Sequence, residues 1–289
     1  MNDIYLVDGV FLVTRSIRSL PDYHGARWSA WLRHACRQFG CQLDSLARGF
    51  VPLRSGQAPL RAGEVVCLRL LTENPGQFGV LGNALAQGEP HGEFSRLTLR
   101  LLFWQDAISG KRHPPEEAPC GLEPLTLKHL REETTLLAGL DSFSLHFHTP
   151  LRLKLPSGCR GEGRERDDYC QPEFFRSARA IGYLASKIRF WQFADRDEVE
   201  SLPVAGEGNL RWHDLRYNQE RRIALGGVAG AIRCNGRIGA RLAEKLVLGQ
   251  YLGAGKNPLF GLGYWQIPEL AEARKIFLEQ CAPSSTDWR

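Results

Sequence analysis

No two cysteines in this chain stand two residues apart, no stretch of it is apolar for the length of a membrane span, and its start, MNDIYLVDGV, has no basic segment leading into an apolar run. The first absence removes the CxxC signature of zinc ribbons and thioredoxin-like redox sites. The eight cysteines, at 36, 41, 67, 120, 159, 170, 234 and 281, then read as a scattered set of reduced thiols. The second argues against a transmembrane helix. The third leads to the expectation of a protein that is neither secreted nor anchored, and is therefore cytoplasmic. A strong charge of either sign is also missing: 37 Lys and Arg face 32 Asp and Glu, a formal +5. That surplus favours a polyanionic partner without requiring one. It is unevenly placed, since residues 205–265 hold nine Lys or Arg against four Asp or Glu, and the C-terminal half is the expected electrostatic footprint.

What is present is enough for two packed cores: 289 residues, 43% of them hydrophobic. Residues 4–15 mix Ile, Tyr, Leu, Val and Phe as a strand does, and Leu20-Pro21-Asp22 breaks it. Trp28, Trp31, Leu32, Ala35, Cys36 and Phe39 then recur at spacings of three and four. This predicts a helix ending at Gly40, with Arg27, Arg33, His34 and Arg37 on its polar face. Strands follow at 50–53 and 64–72, a short helix at 78–87 and a strand at 95–105. The order strand, helix, strand, strand, helix, strand is the split βαβ, or ferredoxin-like, pattern.

The proline-rich stretch 111–124 marks the domain boundary, so the expected division is 1–115 and 116–289, with a helical connector at 125–136. A second cycle is predicted beyond it. It comprises a strand at 142–155, a charged, glycine-rich loop at 156–172 expected to be mobile, a long helix with apolar positions 174, 178, 181, 184, 185, 188 and 191, a strand at 222–234, a helix at 238–251 and a final strand at 263–267. The expected class is α+β, with two tandem ferredoxin-like (RRM-like, βαββαβ) domains.

The most informative segment is GQYLGAGKNPLFGLG, residues 249–263, in which Gly253, Gly255, Gly261 and Gly263 bracket Lys256 and Asn257. Glycines let backbone amides approach a ligand, and several amides beside a lysine suit a phosphate. A nucleotide P-loop fits poorly. Its glycine spacing is one residue shorter, Asn257 stands where a metal-binding hydroxyl belongs, and a P-loop leaves a strand and opens a helix whereas this loop leaves a helix. The plain alternative is a tight turn, which four glycines around a lysine make less comfortable.

LGAGKNPLFGLGYWQI resembles the C-terminal glycine-rich loop of the CRISPR Cas-six type RNA-processing endoribonucleases of the RAMP superfamily. GGVAGAIRCNGRIGARLAEKLVLGQYLGAGK is similar to the strand, helix and loop before it, and LPDYHGARWSAWLRHA and GFVPLRSGQAPLRAGE resemble the helix and hairpin of the N-terminal half. The resemblance implies two ferredoxin-like domains with a basic cleft, a glycine loop holding the RNA backbone, and metal-independent cleavage without any cofactor. It implies CRISPR repeat RNA as partner, as precursor or mature crRNA, and other Cas proteins of an interference or adaptation complex, with no membrane. The chemistry needs little: the ribose 2′-hydroxyl attacks the adjacent phosphorus, a base takes its proton, an acid protonates the leaving 5′-oxygen and a cation meets the developing charge. The products are a 2′,3′-cyclic phosphate and a 5′-hydroxyl.

The resemblance puts the catalytic histidine where the first helix begins, which makes His24 the first candidate, with Tyr23 assisting. His34, beside Arg27 and Arg37 at helical spacing, is the second. His146 and His148 share one face of a strand without the carboxylates or cysteines of a metal site, and read as packing. Arg233 and Arg237 flank Asn235-Gly236 and, with Lys256, are expected on one phosphate track. Trp31 reads as core, while Trp28 and Trp212 stay open between packing and base stacking. The bulky ARWSAW departs from the small, leucine-rich helix common in the family. Two other readings stand beside the enzyme: a non-catalytic RAMP subunit that binds guide RNA, and a general RNA-binding module, weakened because neither half has the aromatic strand pattern of an RRM.

Overall fold

In strand β1 (Tyr5–Val13), alternation sends Val7, Phe11 and Val13 to one face and Leu6, Asp8 and Val10 to the other. The first set meets the apolar stripe of helix α1 (Gly25–Gln38), where Trp28, Trp31, Leu32, Ala35 and Cys36 are buried. Phe11 lies 5.3 Å from the Trp28 ring and 5.7 Å from the Trp31 ring, and Phe94 closes edge-on over Trp28 at 4.9 Å. Both tryptophans, at 1% and 2% exposure, are core residues. The computed structural model describes residues 3–18, 24–52, 59–88, 94–156, 168–177, 179–190, 204–214, 216–217, 223–224, 226–274 and 276.

The rest of this first unit follows the order read from the sequence: α2 (Leu43–Leu46), β2 (Gly49–Pro52), β3 (Val65–Thr72), α3 (Phe78–Gln87), β4 (Leu99–Asp106) and β5 (Arg112–His113). The sheet runs β2-β3-β1-β4-β5, antiparallel at every pair. Its first four strands give the ferredoxin-like order. Asp8 and Arg69 face each other across β1 and β3, and the guanidinium donates to both carboxylate oxygens at 2.7 and 2.6 Å. Both side chains are essentially inaccessible, at 0% and 1%. Burial pushes the Asp8 carboxyl up, and Arg69 pulls against that shift.

The second unit contains α4 (Arg131–Gly139), β6 (Ser142–Leu151), α5 (Arg179–Ala185), β7 (Val204–Gly208), β8 (Arg211–His213), β9 (Arg216–Tyr217), β10 (Ile223–Ala224), β11 (Gly227–Asn235) and α6 (Ala240–Leu252). The central strand β11 pairs antiparallel with β6 on one side and with β7 and β8 on the other. Gln266 bridges His146 on the free side of β6, with reciprocal backbone bonds of 2.9 Å. This again gives the ferredoxin-like order, with two tandem copies along the chain. The chain divides into two compact units between Leu125 and Thr126, with Leu259–Gly261 belonging to the first and Leu262–Arg274 to the second.

Three sequence expectations are corrected in this unit. The predicted long helix is a 3-10 turn (Pro172–Arg176) followed by the seven-residue α5, because Ser177 takes extended angles of −82° and 142° and its hydroxyl bonds back to Phe174 O. The predicted final strand is reduced to a bridge at Gln266, since Pro268 opens another 3-10 turn just beyond it. Nothing in the sequence signals β7 and β8, and the strand expected at 222–234 is found as β10 and, from Gly227, β11, with residues 222 and 225 outside the described residues. Residues 157–167 of the charged loop lie outside the described residues.

Candidate nucleic-acid interface

Helix α6 ends in the glycine loop, and a buried network fixes that end. The Tyr251 hydroxyl donates to Glu133 at 2.5 Å and the Gln250 amide to its second oxygen at 3.2 Å. Gln250 Oε1 in turn accepts from Ile267 N and Arg274 Nη2, each at 2.8 Å. Glu133 on α4 is therefore tied to the residues on both sides of the loop. It is 1% exposed, and burial lifts its carboxyl to about 7 against the pull of Tyr251, Arg274 and Gln250.

The loop doubles back on itself. Gly253, Gly255, Gly261 and Gly263 all have positive φ, as does Asn257 at 63°. At Gly263, φ is +85° and a Cβ would run into Ala254 O, so no other residue fits without moving the opposite limb. The amides point inward: Gly253 N–H donates to Gly249 O, Ala254 to Gly263 O, Gly255 to Lys187 O, Lys256 to Arg152 O and Gly263 to Pro150 O, at 2.8 to 3.2 Å. The expected cradle of amides at Gly253, Gly255 and Gly263 is thus corrected, because these groups hold the loop together. At the turn of the loop the Lys256 side chain is exposed and Asn257 is half-buried.

Arg233 and Arg237 are exposed at the far end of β11. Arg233 donates to the Ser142 hydroxyl and Arg237 to the Asp141 carboxylate, both at 2.7 Å. Lys256 N–H, by contrast, is bonded to Arg152, just past the other end of β6. Ten residues of strand separate the two places, roughly 30 Å at 3.3 Å per residue. The single phosphate track expected for these three cations is therefore two separate basic points on one unit.

On the first unit, His24 precedes α1 and is 4% exposed. The Trp28 indole N–H donates to its Nδ1 at 3.1 Å, and Phe94 packs edge-on against the ring. An indole nitrogen is only a donor, so this bond leaves Nδ1 unprotonated and the ring proton on Nε2. His34 is half-buried, and its Nε2 lies 3.0 Å from the Gln38 amide nitrogen, also a donor. Arg27 is half-buried, and desolvation lowers its pKa. Tyr23 lies outside the described residues.

His146 is exposed, whereas desolvation pushes the half-buried His148 down to about 4. Among the described residues no three His, Cys, Asp or Glu side chains are grouped to hold a metal, and no helix is long and apolar enough to cross a membrane. Trp212 is half-buried beside Gly226, its indole N–H donating to Asp214 at 2.7 Å. One residue central to the loop escaped sequence reading: Arg189, 8% exposed, whose guanidinium reaches the loop carbonyls. A lone arginine in SKIRFWQ carries no signal of such a role.

Two ferredoxin-like units in tandem, the second ending in a glycine loop after its last helix, define the architectural class. Neither a protein-family model nor a curated protein matches the chain, but solved structures do. A chain of a partial Cas6-RT-Cas1–Cas2 complex is similar over 92% of this chain at TM-score 0.59 and 16% identity. A Cas6 product complex is similar over 91% of this chain and 99% of its own length, at 0.51 and 16%. A Thermus thermophilus Cas6 covers 92% and 99%, at 0.51 and 15%. This chain spans 46% of the first of these, and has the fold of the Cas6 proteins.

Proposed function

We propose that this chain is a CRISPR repeat-processing endoribonuclease that binds precursor crRNA and cuts it by attack of a ribose 2′-hydroxyl, without a metal ion. The observation that carries the reading is the glycine loop: a double-backed hairpin with Lys256 and Asn257 at its turn, on a fold shared with Cas6 structures that include a product complex. Lys256 supplies a cation for a phosphodiester, and Gly253, Gly255, Gly261 and Gly263 shape the backbone that presents it. Arg233 and Arg237 supply a second contact to the same strand, and Arg27 one on α1.

Proton transfer is assigned to α1. His34 is the better base, because its ring is partly accessible and the exposed Gln38 amide is displaced from Nε2 more readily than the buried Trp28 indole is from Nδ1 of His24. His24, held by Trp28 with its proton on Nε2, acts as a hydrogen-bond donor to the phosphate or leaving oxygen rather than as the base. Tyr23 next to it is the assisting hydroxyl. The repeat RNA is the proposed partner; the similar chain in a Cas6-RT-Cas1–Cas2 complex supports Cas proteins of an adaptation complex as further ones.

A second reading has a specific observation in its favour. The Trp28 bond that keeps His24 from acting as a base also suits a non-catalytic RAMP subunit that holds guide RNA intact. Incubation of the protein with end-labelled repeat RNA in EDTA separates the two. Discrete fragments ending in 2′,3′-cyclic phosphate support the enzyme; a tight complex with uncut RNA supports the subunit, and no complex at all removes both.

A further inference from the structure

Arg189 follows α5 and brings a planar guanidinium with five N–H donors and no acceptor under the glycine loop. Nε donates to Gly255 O at 2.8 Å, while Nη2 lies 2.5 Å from Ala254 O, 2.6 Å from Leu262 O and 3.1 Å from Lys256 O. Three of these carbonyls are on the outgoing limb and one is on the returning limb, so a single rigid fork spans both. The neighbouring backbone is zipped to the same place. Arg189 N–H donates to Gly253 O at 3.1 Å, Gly255 N–H to Lys187 O at 3.2 Å, and Ile188 bridges Ala254.

The glycines make room for the fork. A Cβ on Gly253 would stand 2.9 Å from Arg189 Nη1, and one on Gly263 2.7 Å from Nη2. Their absence of side chains therefore serves the approach of an internal cation as much as the bend of the chain. The consequence is a polarity of the loop. Carbonyl oxygens, which would repel a phosphodiester, are drawn inward onto a positive charge, and the Lys256 side chain is left at the surface.

We propose that Arg189 is the positioning residue of this loop: without touching RNA, it sets the carbonyl-in geometry that lets Lys256 and Asn257 meet the RNA backbone. The proposal rests on the RNA-processing reading above. A lysine in its place keeps the charge but has no planar fork to reach both limbs.

Arg189→Lys and Arg189→Ala test it in two arms. In RNA-free protein, hydrogen exchange is followed over peptides covering residues 253–263 and over the β6–β11 sheet. In parallel, repeat-RNA affinity is measured, with methylguanidinium added to Arg189→Ala. The expected result is exchange in the loop faster by about tenfold or more in both variants with the sheet unchanged, an RNA Kd raised by about tenfold or more, and partial recovery of affinity with methylguanidinium. Wild-type-like exchange and affinity in Arg189→Lys would overturn the proposal. So would uniform loosening of loop and sheet without rescue, which marks a merely structural residue. Should wild-type protein fail to bind repeat RNA, the RNA reading falls and takes the binding role of Arg189 with it, while the exchange arm still reports whether Arg189 orders the loop.

Discussion

Burial lifts the Glu133 carboxyl from its ordinary 4.5 to about 7, because desolvation outweighs the donors Tyr251 and Gln250 and the charge of Arg274, with Glu132 adding a small push in the same direction. The folded state therefore holds a proton that the unfolded chain gives up. This stabilisation is complete below about pH 4.5 and lost as pH rises through about 7, amounting to about 3 kcal/mol. Glu133→Gln keeps the hydrogen-bond geometry and removes the titration. Its urea-unfolding free energy is expected to be flatter than wild type across that range, and equal slopes for the two proteins would contradict the assignment. The histidines divide on the same kind of reasoning. His34→Ala is expected to slow cleavage by about 100-fold or more with little change in melting temperature. His24→Ala leaves the Trp28 indole without its acceptor in the core and is expected to cost about 1–3 kcal/mol of stability, read by thermal melting.

Elements were legible where one period persisted. The helix at 78–87 is α3 to the residue, and the stripe of α1 is buried from Trp28 to Cys36, whereas Phe39, its last expected position, follows the helix and is exposed. The second unit was harder, because its apolar positions from 174 to 191 fit a helical period while Ser177 and the short α5 break it. The glycine loop stood out in the sequence, yet which way its amides point did not. That depends on Lys187, Arg152 and Pro150, which accept from it and are distant in sequence. Gly263→Ala forces both a positive φ and a contact with Ala254 O. It is expected to disorder the loop and weaken repeat-RNA binding by about tenfold or more, measured by filter binding. In the first unit, Asp8→Ala strands Arg69 at 1% exposure and is expected to destabilise by about 3–5 kcal/mol. An Asp8→Ala protein melting within a degree or two of wild type would show that the pair is not buried as described.

For the whole molecule, a net charge of +5 concentrated in residues 205–265 gives the proposed RNA binding an electrostatic part, and salt resolves which cations supply it. Lys256→Ala should weaken binding to all RNA sequences alike and reduce the slope of log K against log salt by about 0.7, the share of one phosphate contact on a single strand. An unchanged slope would take Lys256 out of the interface. The central claim is that the chain cuts repeat RNA through the RNA's own 2′-hydroxyl. The most direct test is cleavage, in EDTA, of a repeat RNA with one 2′-deoxy substitution at the cut site, beside the all-ribose control. With the 2′-hydroxyl as nucleophile, the control is cut and the substituted RNA binds as well but stays whole; cleavage of both RNAs at that position would contradict this mechanism.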